Sequence, residues 1–184
     1  MKTNDQPGEF TGPAEIRIVR LLPGPIERVW AYLTDPEKRS RWFAGGPMEL
    51  HAGGKFTLHF RHGNLAPDET PPEEFKKNHE TGHNMEGVIT RCEPPRVLAF
   101  TFGSTRESEA TFELTPQGPD VVLVLTHRAR GEDLPYMGEF GAGWHTHLMH
   151  LLAQLEGAPR PPFWPVHARL RTEYEQLRLA AQKS

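Results

Sequence analysis

Residues 141–157 read Gly-Ala-Gly-Trp-His-Thr-His-Leu-Met-His-Leu-Leu-Ala-Gln-Leu-Glu-Gly, and two readings compete for them. His145, His147 and His150 suggest metal or acid–base chemistry. Trp144, Leu148, Leu151 and Leu155 recur every three or four residues and suggest the buried face of a helix. Met137, Phe140 and Gly141 carry the same stripe backwards, so the spacing predicts a helix over 134–156 that stops at Gly157 and Pro159. At 3.6 residues per turn His145 and His147 flank the stripe on opposite sides, about 160° apart. His150 falls outside it. His147 and His150 have an i, i+3 spacing, but the wheel points them to the exposed side with no cysteine or carboxylate beside them. The stretch therefore reads as a covering helix, with no metal site expected.

A covering helix needs a sheet to cover. Ala14–Leu22 reads as a strand ended by Pro23-Gly24-Pro25, and Pro25 suits the first turn of a helix. Ile26, Val29, Trp30 and Leu33 form one apolar stripe. Asp35 is a natural N-cap for a second short helix with Pro36 at its first position, and Gly45-Gly46-Pro47 ends that segment. Met48–His51 is predicted to pair through Gly53-Gly54 with Lys55–Phe60, which alternates cleanly. Further strands are expected at Asn84–Glu93, Val97–Phe102, Ser108–Thr115 and Val121–Arg128. Between them lies a long break, residues 61–82, with helical turns expected at 72–77 and a role as a lid. After Gly157–Pro162 a second amphipathic helix carries Val166, Leu170, Tyr174, Leu177 and Ala181 on one face. That face is expected to pack on a second copy of the chain, giving a homodimer, or else on the chain's own sheet.

The fold class is therefore α+β: an antiparallel sheet of about six to seven strands, two short helices after the first strand, a long helix and a C-terminal extension. Residues 1–13 are expected to be a flexible lead-in, 14–157 the domain, and 158–184 the extension. With 184 residues, a net charge of −3 and a pI near 6.4, nucleic acid is not an expected partner. The single cysteine, Cys92, fits a reducing compartment. Met1–Thr11 has no apolar core of a signal peptide, and the longest aliphatic run is Val121–Leu125. A soluble cytoplasmic protein, without membrane association, is expected.

Several stretches in this order resemble a known family: Pro25–Trp30, Asp35–Trp42, Gly53–Phe56, Gly87–Pro95, Leu98–Phe102 and Gly143-Trp144. They are similar to the START/Bet v 1-like (SRPBCC) superfamily, and within it to bacterial homologues of the heat shock protein 90 ATPase activator C-terminal domain. The resemblance covers residues 14–157. Ser108–Leu114, Pro162–His167 and Glu173-Tyr174 resemble a subset of that branch. The resemblance implies a helix-grip fold, in which a curved sheet wraps a long helix and leaves a cavity between them. It implies no single activity, because the superfamily includes lipid carriers, hormone receptors, polyketide cyclases and chaperone regulators.

Such a cavity takes its walls from the inward sheet face and the helix stripe. Candidate ligand-binding residues are Phe56, Leu58, Phe60, Met85, Phe100, Phe102 and Phe112 on the strands. Trp42, Trp144 and Leu148 join them from the helical segments. His127 shares the inward face of its strand with Leu123 and Leu125, and His145 stands at the edge of the helix stripe. Both are candidate polar contacts. No catalytic residue is assigned. There is no Gly-x-Ser-x-Gly elbow, Cys92 reads as a small hydrophobe, Gly53-Gly54 is a turn, and Ser104 and Ser108 lie in a loop without a patterned partner. No cofactor is expected. The leading expectation is a binder of a small hydrophobic or amphipathic molecule. The alternatives are a protein contacting a chaperone ATPase, and a cyclase-like or hydrolase-like enzyme using His127 or His145.

Overall fold

The alternation of apolar and polar residues becomes the pleat of one antiparallel sheet in the computed structural model, which describes residues 4–103 and 105–182. The strands are β1 (Glu9–Gly12), β2 (Glu15–Pro23), β3 (Lys55–Phe60), β4 (His83–Glu93), β5 (Val97–Phe102), β6 (Ser108–Gln117) and β7 (Asp120–Arg128). Their spatial order is β1-β2-β7-β6-β5-β4-β3. Period two sends Ile16, Ile18 and Leu22 of β2, Phe112 and Leu114 of β6, and Leu123 and Leu125 of β7 to the buried face. Each such side chain contributes roughly 1.5–3 kcal/mol by leaving water.

Two short helices follow β2: α1 (Ile26–Thr34) and α2 (Pro36–Ser40). The Asp35 carboxylate accepts the backbone N–H groups of Glu37 and Lys38, with Pro36 at the first helical position, as the spacing predicts. Beyond α2 the chain is held by Arg39. Its buried guanidinium donates to the carbonyls of Thr34 (3.1 Å), Ala44 (2.9 Å) and Gly46. That clamp presses Trp42 and Phe43 onto the sheet, and the Trp42 indole donates to the Tyr32 carbonyl at 2.8 Å. The expected strand at Met48–His51 is not formed. An isolated bridge joins Met48 to Phe56, with the Glu49 N–H donating to the Lys55 carbonyl and the Thr57 N–H to the Pro47 carbonyl; the Lys55 N–H goes to the Glu49 side chain, and the pairing extends no further into a strand.

The long helix, α5 (Met137–Glu156), starts later than the stripe suggests, because a 3₁₀ segment containing Pro135 occupies Gly131–Tyr136. Gly157 ends it in the left-handed conformation, with φ +66°. The C-terminal helix, α6 (Phe163–Ala181), folds back antiparallel along α5. Tyr174 of α6 lies on Gly141, and Phe163 faces His147 and His150. Leu170 and Tyr174 join the main core, so the stripe expected to seek a second copy or the sheet is used on α5. This docking corrects the wheel reading of the histidines. His145, His147 and His150 are only 2%, 5% and 0% exposed, because α6 covers the side of α5 that the sheet leaves open.

Two other segments depart from expectation. Residues 9–12, placed in a flexible lead-in, form β1 and pair with β2; residues 1–3 lie outside the described residues. The 61–82 break contains α3 (His62–Leu65), a 3₁₀ turn (Glu73–Phe75) and α4 (Lys76–Thr81). It packs on the start of α6. Leu65, Ala66, Phe163 and Trp164 form a second apolar cluster, with Phe75 stacked on Trp164 at 5.2 Å. Among the described residues no helix is long and apolar enough to cross a membrane.

Candidate functional site

Where the first half of α5 passes over the end of the sheet, the core stops filling the space. A cavity of about 270 Å³ lies there. Phe43, Phe60, Met85, Phe102, Phe140 and Trp144 supply apolar wall, and His62, His83, Glu139 and His147 supply its polar points. β3 and β4 position their residues by pairing and period two: Phe60 ends β3 opposite His83, and Met85 follows two residues on in β4, while His62 opens α3 and stacks beside Phe60. Gly143 of α5 also lines the cavity, and a Cβ built there meets nothing within 4 Å.

A second chamber of about 170 Å³ shares His62, His83, Gly143 and His147 with the first. Its other walls are Phe75 and Asn78 of the 61–82 segment and Phe163, Trp164 and His167 of α6. The Trp164 indole donates to His79 Nδ1 at 3.1 Å, joining the two segments that close this side. A larger depression of about 400 Å³ lies on the other side of Phe43, lined by polar and charged residues including Arg41, Arg61 and Arg160.

The histidines around the chambers are neutral at physiological pH. Burial holds His62 near 4, helped by the proximity of His83, His167 and other imidazoles. It holds His167 near 4 and His147 well below its ordinary value. Geometry fixes one tautomer. His147 Nδ1 lies 2.7 Å from the Trp42 carbonyl, which can only accept, so Nδ1 carries the proton and Nε2 a lone pair.

Of the twelve expected ligand contacts, Phe60, Met85, Phe102 and Trp144 line the cavity. Trp42, Phe56, Leu58, Phe100, Phe112 and Leu148 are packed in the core away from it, because the sheet and α5 close on each other there. His127 sits one layer behind the wall. Its Nδ1 accepts the Trp144 indole N–H at 3.0 Å, and Phe140 stacks on its ring at 4.3 Å. Burial lowers its pKa to about 4, with Asp133 opposing the shift. It orients Trp144 and does not face the cavity. His145 lies on the opposite side of α5, 2.9 Å from the Tyr174 hydroxyl, and its pKa is pushed to about 3 by burial and then by Arg20 and Arg169. Neither histidine is placed for acid–base work in the cavity. Ser108 is not a loop serine but opens β6, donating to Asp133 at 2.7 Å; Ser104 lies outside the described residues.

Sequence reasoning missed Phe43, His62, His83, Phe140 and His147 as lining residues. For His62 and His83 the signal was present, since Phe56, Leu58, Phe60 and His62 keep period two. For His147 it was not, because its burial depends on α6. Among the described residues no group of three or more histidine, cysteine or acidic side chains could hold a metal ion.

The family model described as activator of Hsp90 ATPase homolog 1-like protein matches residues 23–156. The chain belongs to this family. The match ends before α6, so Phe163, Trp164 and His167 of the second chamber lie beyond it. A solution structure of the protein encoded by gene BPP1335 from Bordetella parapertussis is 41% identical, with 96% of this chain and 95% of that one covered and a TM-score of 0.76. The crystal structure of CalU16 from Micromonospora echinospora is 27% identical over 89% of this chain and 88% of that one, with a TM-score of 0.65. A protein of unknown function from Enterococcus faecalis, EF2215, shares the fold at 17% identity, with 95% and 90% covered and a TM-score of 0.71. A comparison with curated proteins finds no significant match. These solved structures share the architecture seen here, a curved antiparallel sheet against a long helix.

Proposed function

We propose that this protein binds a small, mostly apolar molecule in the cavity between the first half of α5 and the β3–β5 end of the sheet. The observation that carries this reading is the unfilled space itself. Six large apolar side chains surround about 270 Å³ without filling it, and Gly143 keeps the helix wall open. Apolar walls with a few polar points are the usual make-up of a ligand site. Binding requires no catalytic group, and His127 and His145 stand outside the cavity. The lone Cys92, partly buried with its thiol pKa raised by that burial, suits a reducing cytoplasmic setting.

Gly143→Leu tests the reading, because leucine fills open space and is a better helix former than glycine. Titration calorimetry with naphthalene derivatives is expected to give binding to the wild type and none to the variant. Equal binding to both proteins, or none to either, overturns the proposal.

The family match supports a second reading, contact with a chaperone ATPase. Its test is the ATPase rate of purified Hsp90 with and without this protein. An unchanged rate removes it.

A further inference from the structure

The second chamber is not spare volume. The 61–82 insert and the start of α6 close it against β4 and α5, and it is furnished with imidazoles. His167 is almost fully buried and its Nδ1 has no hydrogen-bond partner; the same is true of His62 Nδ1. An unpartnered buried polar atom costs about 1–3 kcal/mol, so this corner of the fold is polar at a cost to stability. His147 stands between the two spaces with its lone pair on Nε2, and no partner for that atom is present among the described residues.

The chemistry of that partner follows from what lines the chamber. No carboxylate does, so a buried ammonium would have no countercharge. The fixed lone pair of His147 opposes an anion. A neutral hydroxyl fits both demands: its proton goes to His147 Nε2, and its oxygen can accept from a neighbouring imidazole N–H. The first cavity adds flat aromatic walls, with Phe60 and His83 parallel at 4.7 Å and Phe102 tilted on Trp144 at 4.8 Å. Glu139, the one acid on that wall, is held by Arg171.

We propose that the second chamber is a head-group subsite that recognises the hydroxyl of a planar phenolic or enolic ligand, with His147 as the acceptor and the aromatic body lying in the first cavity. This rests on the reading that the first cavity binds a small apolar molecule. The subsite would be particular to chains that combine this insert with this α6.

The test is a matched pair of probes, 2-naphthol and 2-methoxynaphthalene, in the second of which a methyl group replaces the donated proton. Titration calorimetry is expected to give about tenfold tighter binding of 2-naphthol to the wild type, the value of one well-made hydrogen bond. His147→Asn keeps a donor near the Trp42 carbonyl and removes Nε2. His167→Phe preserves the stacking on Phe163, 11° from parallel, and removes the nitrogens. His147→Asn is expected to bring the two affinities together while 2-methoxynaphthalene binds as before. His167→Phe reduces the preference severalfold and serves if His147→Asn does not fold. Equal affinities in the wild type, or a preference that survives both variants, overturn the subsite and leave the cavity reading standing. Failure of both probes to bind the wild type overturns the cavity reading and the subsite together.

Discussion

Glu69 and Trp164 are joined by a hydrogen bond in which the backbone N–H of Trp164 donates to Glu69 Oε2 at 2.8 Å. The other carboxylate oxygen accepts the N–H of Phe163, also at 2.8 Å. Pro162 offers α6 no side-chain cap, so an acid from the insert satisfies the orphan donors of its first turn and meets the positive end of the helix. Glu69→Ala is expected to cost about 1–2 kcal/mol in urea unfolding. Amide exchange should accelerate at Phe163, Trp164 and across residues 62–81 together. Protection that changes at α6 alone would show that the insert is held by other contacts.

Arg39 is a buried cation without a buried anion. Burial lowers its pKa to about 10, against which Asp35 acts weakly, and its donors go to backbone carbonyls. Arg39→Met keeps the bulk and leaves those carbonyls unpaired, so a loss of about 3 kcal/mol is expected. For a domain of this size that is a fall in Tm of roughly 6–12 °C. Arg39→Lys has three donors in place of a planar fork and should recover only part of it. A Tm within 2 °C of the wild type for Arg39→Met, on the order of 1 kcal/mol or less, would show the clamp to be dispensable.

Acid should unfold this protein earlier than its carboxylates alone would. Burial holds His62, His127, His150 and His167 near 4 and His145 near 3, against an unfolded value of 6.5. Their folded pKa values are depressed, so below pH 6.5 the unfolded chain binds more protons than the folded one. Stability is thus full above about pH 7 and falls from pH 6.5 towards 4, each histidine adding up to about 1.4 kcal/mol per pH unit. Glu15 and Glu74, whose pKa values are lowered chiefly by side-chain hydrogen bonds with Thr11 and Arg171 respectively, add a further loss below about pH 4.5. Urea midpoints at pH 7.5 and 5.5 check this. The drop should shrink in His150→Leu, whose ring is fully buried. Midpoints independent of pH in this range would contradict the neutral-histidine core.

What the sequence disclosed and what it hid divide along one physical line. Strand alternation in 55–60 and 121–128 and the Trp144-Leu148-Leu151-Leu155 stripe are local periodicities, and they located the sheet and its covering helix. The second cover was not local. A helical wheel assigns one buried face, and α5 has two, because α6 returns over it. That is why His147 and His150 read as surface residues. β1 was hidden for a similar reason: Glu-Phe-Thr-Gly has no strand pattern of its own and is held by β2 and Tyr174. The aromatic face predicted as cavity wall is mostly packed core, since alternation tells which face is buried and not where the packing stops.

Tyr174 ties three elements with one hydroxyl. It accepts the Gly8 N–H at 2.7 Å and lies 2.9 Å from His145 Nδ1, to which its proton can go. Burial raises its pKa to about 12, so the phenol stays protonated. Tyr174→Phe leaves the ring in place and strands two buried polar atoms, with an expected cost of about 1–3 kcal/mol. Exchange protection at β1 should drop more than at β7. If both strands lose protection equally, the hydroxyl stabilises the whole fold and not the attachment of β1.

Gly141 and Gly143 look alike in sequence and should answer oppositely to the same substitution. A Cβ on Gly141 would lie 2.5 Å from Tyr174 Cδ1 and 2.9 Å from Ile16 Cδ1, inside the contact between α5, α6 and β2. Neither neighbour is free to retreat, since Tyr174 is pinned through its hydroxyl and Ile16 lies in the sheet. Gly141→Ala is therefore expected to cost about 1–3 kcal/mol from overpacking, in spite of the better helix former. A Cβ on Gly143 meets nothing, so Gly143→Ala should gain about 0.5–1 kcal/mol from backbone entropy alone. Urea unfolding of the two variants beside the wild type measures both signs at once. Two stabilised variants would mean that α6 does not press on α5 at Gly141, and two destabilised ones that the space beside Gly143 is closed.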